Sequence, residues 1–194
     1  MAQKQVNNIK LIIIGGSSGS LEVLMKILPV LRRDFPIPII LVLHRNSTAD
    51  SALTELMTSK TTLQVKEADE KDVLEPGTIY IAPPDYHLLT EIDGSLSLDF
   101  SERVHYCRPS IDVSFMSAAI ACKSELIAIL LSGANADGAA GIKMIKELGG
   151  ITVVQDPADA SVSYMPDQAL LTNAVDRVMK GTEIGDWLNE IADN

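Results

Sequence analysis

The sequence predicts an α/β fold: three layers, with a mostly parallel, twisted sheet, helices on both faces and one antiparallel hairpin excursion. Two observations carry that prediction. Short continuous apolar runs, of the kind buried on both faces of a sheet, alternate with segments of helical periodicity. Between two later strand-like runs stands Asp93-Gly94, a strong hairpin signal because the pair tolerates positive φ.

The first apolar run, Leu11 to Ile14, ends in Gly15-Gly16 and reads as a doubly buried strand. Leu21, Leu24, Met25, Leu28 and Leu31 then recur at helical spacing, with Pro29 expected to end or kink that helix. Ile37 to Leu43 is a second buried strand, closed by His44, and Thr48 to Met57 a second helix. A β-α-β-α order of this kind implies parallel strands. Leu63 to Ala68 and Thr78 to Ala82 are strand-like, with the turn Glu75-Pro76-Gly77 between them. His87 to Ile92 and Ser95 to Phe100 flank the hairpin turn, so the antiparallel excursion is expected between residues 78 and 100. Ser110 is an N-cap for a helix over Ile111 to Cys122. The β-α-β order then resumes with a strand at Leu126 to Leu131, a loop at Ser132 to Asp137 and a helix at Gly138 to Leu148. Gly149-Gly150 stops that helix before a strand at Ile151 to Gln155. A helix near Asp167 to Thr172, a strand near Val175 to Met179 and a helix from Glu183 to Ala192 complete the prediction. No repeat, low-complexity stretch or linker divides the chain, so residues 1–194 are expected to form one domain.

Composition narrows the function classes. The chain has 194 residues, 46% of them hydrophobic and 22% charged, which excludes disorder and a disulfide scaffold. Sixteen basic against 26 acidic residues give a net charge of −10, which disfavours nucleic acid as a partner. No apolar run approaches the roughly 20 residues that span a bilayer, so membrane insertion is not expected. Cys107 and Cys122 read as small buried residues in a reducing cytoplasm, and no Cys/His motif points to a metal.

In a parallel sheet, ligands bind beyond the carboxyl ends of the strands. Three segments stand there: Gly15 to Ser20, His44 to Asn46, and Ser132 to Gly138. Gly15-Gly16-Ser17-Ser18-Gly19 fits Gly-x-Ser-x-Gly, a strand-to-helix turn that exposes a serine hydroxyl. A phosphate-binding turn is the main rival. Against it, no lysine follows until Lys26, and Ser17 stands where the dinucleotide fingerprint has its second glycine. A plain tight turn also remains open. His44 is placed to accept the proton of Ser17, since imidazole is the side chain suited to base catalysis near neutral pH. Asp137 is either the N-cap of the helix that follows it or the carboxylate that orients His44. The chain order Ser17, His44, Asp137 differs from the serine, acid, histidine order of α/β-hydrolases, but a triad is defined by roles.

The chain resembles, over nearly its whole length, the catalytic domain of the chemotaxis protein-glutamate methylesterases (CheB type). Five stretches carry the resemblance. They are Gly15-Gly16-Ser17-Ser18-Gly19-Ser20-Leu21-Glu22; His44 after its strand; Ile81-Ala82-Pro83-Pro84-Asp85-Tyr86-His87; Cys107-Arg108-Pro109-Ser110-Ile111-Asp112-Val113-Ser114-Phe115; and Ser132 to Gly141, Ser-Gly-Ala-Asn-Ala-Asp-Gly-Ala-Ala-Gly. The resemblance implies Ser17 as nucleophile, His44 as general acid and base, and Asp137 as orienting carboxylate. It implies a cytoplasmic esterase for glutamate methyl esters on chemoreceptor helices, releasing glutamate and methanol, with glutamine deamidation as a further reaction. No metal or cofactor is implied.

Departures from the pattern carry expectations of their own. Ala134 replaces a methionine whose backbone amide serves the family's oxyanion hole, and Asn135-Ala136 replaces Gly-Asn. One lost oxyanion donor costs about 10²–10³ in rate. Cys107 stands at a histidine position. Docking to an acid-rich receptor is expected to use basic and apolar patches near Arg45 or Arg108. Only ten residues precede the first strand, so a receiver domain is expected to be absent or replaced by a separate receiver or sensor protein. A phosphate- or nucleotide-binding module, or a weak receptor-docking homologue, are the alternatives to an active esterase.

Overall fold

Because side chains alternate along a strand, each continuous apolar run can supply two core layers at once. The computed structural model, which describes residues 9–45 and 50–193, shows this throughout the sheet. Ile12 and Ile14 of β1 (Leu11–Gly16) join one apolar cluster, while Leu11 and Ile13 join the other. The first cluster is closed by α1 (Ser20–Ile27) and α6 (Gly181–Ala192), through Leu24, Ile27, Ile184 and Leu188. The second is closed by α3 (Ile111–Cys122) and α4 (Ala139–Glu147), through Phe115, Ala119 and Ile142. Each fully buried leucine or isoleucine contributes on the order of 1.5–3 kcal/mol, so the two faces supply most of the stability.

The remaining strands are β2 (Ile39–Leu43), β3 (Gln64–Glu67), β4 (Thr78–Ile81), β7 (Leu126–Leu130), β8 (Ile151–Gln155) and β9 (Arg177–Met179). They form one seven-stranded sheet in the order β3-β4-β2-β1-β7-β8-β9, in which every pairing is parallel. The chain leaves the central β1 first toward β2 and returns later to β7 on its other side. That reversal opens a crevice at the carboxyl ends of β1, β2 and β7. A separate antiparallel pair, β5 (His87–Thr90) with β6 (Leu96–Asp99), packs against α3.

The three-layer α/β prediction holds, with local differences. Among the described strands only β5 and β6, within residues 87–99, pair antiparallel; β4 belongs to the parallel sheet. All four of its residues are buried, and the position between β3 and β2 accommodates that. As predicted, α1 gives way to a 3₁₀ turn, Leu28–Val30, at Pro29. The helix α5 (Tyr164–Leu171) starts earlier than predicted, because Pro166 sits in its first turn, where a missing N–H costs little. Glu183 accepts from the Lys180 backbone N–H at 3.1 Å, so α6 also begins earlier, at Gly181. The predicted start of the second helix at Thr48 lies outside the described residues; α2 covers Asp50–Thr58. Among the described residues, no helix is long and apolar enough to cross a membrane.

Candidate active site

Strand pairing continues past the sheet and ties the three loops together. The Ser17 amide donates to the Ser132 carbonyl at 2.9 Å, and the His44 amide donates to the Gly16 carbonyl at 3.2 Å. Ser17 therefore leaves β1 with its backbone held on both sides. The turn closes on it, since Ser20 donates to the Ser17 carbonyl through its amide at 3.0 Å and its hydroxyl at 2.6 Å. Gly19 completes this turn with φ +85°, and a Cβ there would stand 2.7 Å from the Ser132 Oγ. Only glycine meets both demands.

Asp137 is fully buried beyond β7. An unpaired carboxylate there would cost several kcal/mol, yet four donors surround it. Ser110 Oγ and the Asp112 amide, both at 2.9 Å, donate to Oδ1. The Ile111 amide, at 2.7 Å, and His44 Nε2, at 2.8 Å, reach Oδ2. Burial pushes the Asp137 pKa up, but these hydrogen bonds outweigh it and hold the group below its ordinary range. Asp137 is thus ionised, and His44 must present Nε2–H to it. The basic lone pair of His44 is then on Nδ1.

The expectation that Asp137 caps its own helix is corrected. Gly138, at φ +102°, occupies the N-cap of α4, and Asp137 instead receives the first amides of α3. Ser110 does cap α3, accepting from the Val113 amide at 3.4 Å. His87 adds a layer behind it: fully buried on β5, it accepts from the Ser110 amide through Nδ1 at 3.1 Å and donates to the Glu102 carbonyl through Nε2 at 3.0 Å.

The structure brings His44 and Asp137 together, and Ser17 shares a cavity wall with His44. A cavity of about 310 Å³ has Ser17, Leu21, Leu43, His44, Leu53 and Leu56 in its wall. Among the described residues no hydrogen bond joins the Ser17 hydroxyl to His44; Nδ1 instead faces Cys107 Sγ at 3.6 Å. Catalytic hydrogen bonds often tighten only when substrate is bound.

Cys107 also departs from expectation. It is half-buried rather than in the core, and its sulfur accepts from Asn135 Nδ2 at 3.5 Å. Burial, then the charge of Asp137, pushes its pKa up, so it stands as a thiol. Cys122 is buried as expected. No sequence motif suggested a metal, but His44, Cys107 and Asp137 offer ligand atoms within 4.8 Å of one another. Arg45 is a poor docking group because it is held by Glu67 at 2.5 Å and by the Ala82 carbonyl at 3.1 Å. Arg108 lies 3.9 Å over the Phe100 ring. Periodicity does not mark Ser110, Asp112 or His87 as residues that support the site; the family stretches that contain them are the available signal.

Ser17, His44 and the buried Asp137 stand at the carboxyl edge of the parallel sheet and are the residue types that serine hydrolases use. The comparisons give the family. The CheB methylesterase model matches residues 12–188. A putative protein-glutamate methylesterase/protein-glutamine glutaminase of Leptospira interrogans is 40% identical over 187 residues, covering 96% of this chain and 97% of that protein. The protein-glutamate methylesterase/protein-glutamine glutaminase 1 of Carboxydothermus hydrogenoformans is 37% identical, covering 97% of this chain but 56% of its own length. The crystal structure of the Thermotoga maritima CheB methylesterase catalytic domain superposes with a TM-score of 0.90 at 33% identity, over 94% of this chain and 98% of that one. This chain belongs to the CheB methylesterase family. The family assignment does not favour the phosphate- or nucleotide-binding alternative.

Proposed function

We propose that this protein hydrolyses glutamate methyl esters on chemoreceptors through Ser17, His44 and Asp137. The observation that carries this reading is the His44–Asp137 hydrogen bond of 2.8 Å at the strand end beside Ser17. In the proposed reaction, the Ser17 hydroxyl swings toward Nδ1 of His44 and gives up its proton as Oγ attacks the ester carbonyl. The imidazolium that forms is stabilised by ionised Asp137. It then protonates the departing methoxide, so methanol leaves and an acyl-serine remains. Water attacks the acyl-serine, its proton passing to His44 and then to Ser17 Oγ, and free glutamate is released. The backbone amide of Ala134 is the oxyanion donor implied by the family pattern; replacing the methionine side chain leaves that amide in place. The same steps acting on a glutamine side chain release ammonia, a reaction that fits the glutaminase names of the relatives.

The test is methanol release from methylated receptor membranes, alongside labelling by a fluorophosphonate probe. Ser17→Ala should abolish both, with release down by about 10⁶ as in other triad enzymes. Equal release by this variant would reject Ser17 as the nucleophile.

A further inference from the structure

We propose that His44 and Cys107 form a Zn²⁺-binding site that blocks the active site when occupied. The binding itself is independent of the proposed reaction; the block rests on it.

The distances suit the ion. Zinc binds imidazole nitrogen at about 2.0–2.1 Å and thiolate at about 2.3 Å, so tetrahedral coordination sets the two atoms about 3.6 Å apart. His44 Nδ1 and Cys107 Sγ stand 3.6 Å apart. The surroundings suit it as well. Zinc-binding histidines typically give their other N–H to a carboxylate, which fixes the ring and makes the free nitrogen more basic. His44 already does this through Nε2 to Asp137 at 2.8 Å. Both oxygens of Asp137 are each taken by two donors, so its part is to hold the imidazole rather than to bind the ion. For the same reason the second group of close ligand atoms, His105, Asp112 and Asp137, is the weaker candidate. Asn135 Nδ2 donates to Sγ at 3.5 Å, a contact that a metal-bound sulfur would keep.

Binding replaces the S–H bond of Cys107 with an S–Zn bond, and the proton leaves to solvent; nothing is oxidised or reduced. Waters complete the coordination. With Nδ1 engaged, His44 has no lone pair to receive the Ser17 proton. Occupancy therefore arrests acylation reversibly, without touching the serine.

The test uses the whole protein with Co²⁺ and Zn²⁺. Cobalt should produce a thiolate-to-metal charge-transfer absorption at one equivalent, and Zn²⁺ should bleach it. Zn²⁺ should also block fluorophosphonate labelling of Ser17, with labelling restored by a chelator. Cys107→Ser should abolish the absorption and raise the Zn²⁺ concentration for half-block at least about 10–100-fold. Cys122→Ser should match the wild type in both respects. Absence of the absorption in the wild type, or its survival in Cys107→Ser, overturns the site. Failure of metal-free protein to label overturns the proposed reaction instead, and the cobalt absorption still decides the metal site.

Discussion

Asp137 joins two demands in one side chain, because it orients His44 and also satisfies the first amides of α3. An ordinary N-cap is worth about 1 kcal/mol. Asp137→Ala leaves three further buried donors without an acceptor, at about 1–3 kcal/mol each. Urea denaturation should therefore show a loss of about 3–5 kcal/mol. Asp137→Asn keeps the size but loses the charge, and its esterase rate should fall about 10⁴-fold because the histidine tautomer is no longer enforced. The folded-state pKa of Asp137 lies below the ordinary carboxylate value of about 3.9. The folded protein thus binds fewer protons here than the unfolded chain, and ionised Asp137 stabilises fully above that value. This contribution is lost as pH falls through the folded pKa. The stability gap between wild type and Asp137→Asn should be widest at pH 7 and close below about pH 4, followed by denaturation at several pH values. The glycine-rich loop alone leaves Asp137 open between a helix N-cap and a partner of His44, and only the family resemblance of residues 132–141 points to the second. Its donors are not legible there, since they come from residues 110–112 at the start of α3, which only the tertiary fold brings near.

At the scale of elements, the site depends on how tightly α3 meets the loop after β7. Gly138 is the contact point: a Cβ there would lie 2.6 Å from Leu130 Cδ1 and 2.9 Å from Ile111 Cγ2, at a φ of +102°. Gly138→Ala should lower stability by about 2 kcal/mol or more, read as a fall in melting temperature. It should also reduce kcat, because moving the loop moves Asp137. His87 acts from the other side of α3. His87→Leu removes the acceptor of the buried Ser110 amide and should cost about 1–3 kcal/mol. As a positioning residue it should lower kcat with little change in KM. Periodicity made the parallel strands legible, since a run buried on both faces has few other uses. It could not say which strand pairs with which. Thr78–Ile81 looks the same in a hairpin as in the sheet, so the expected excursion, residues 78–100, is wider than the observed one. The reading of Cys107 as a core residue fails for a related reason. The 102–109 segment has no period, and its turn, with His105 and Tyr106 at positive φ, is what aims the thiol at His44.

For the whole molecule, the net charge of −10 meets a substrate proposed to be an acid-rich receptor helix. Close to the site the charges are mixed. Arg108 stacks on Phe100, Arg103 pairs with Asp85 at 3.5 Å, and Tyr106 is 94% exposed on the same rim. Range decides between the two effects. The Debye length is about 30 Å at 0.01 M salt and about 8 Å at 0.15 M. At low salt an approaching receptor therefore experiences the whole negative surface and is repelled. At 0.15 M it experiences mainly the rim it touches. Raising salt across this range should increase kcat/KM for methylated receptor several-fold, through faster encounter, and leave kcat unchanged. Hydrolysis of a small neutral ester such as p-nitrophenyl acetate has no such encounter term, so its rate should stay flat. Stopped-time assays of both substrates over the same salt series check the prediction. A receptor rate that falls with salt would mean that Arg103 and Arg108 steer the encounter, and Arg108→Ala should then remove the dependence. A rising rate assigns the rim to contact alone, and Arg108→Ala would raise KM at every salt concentration.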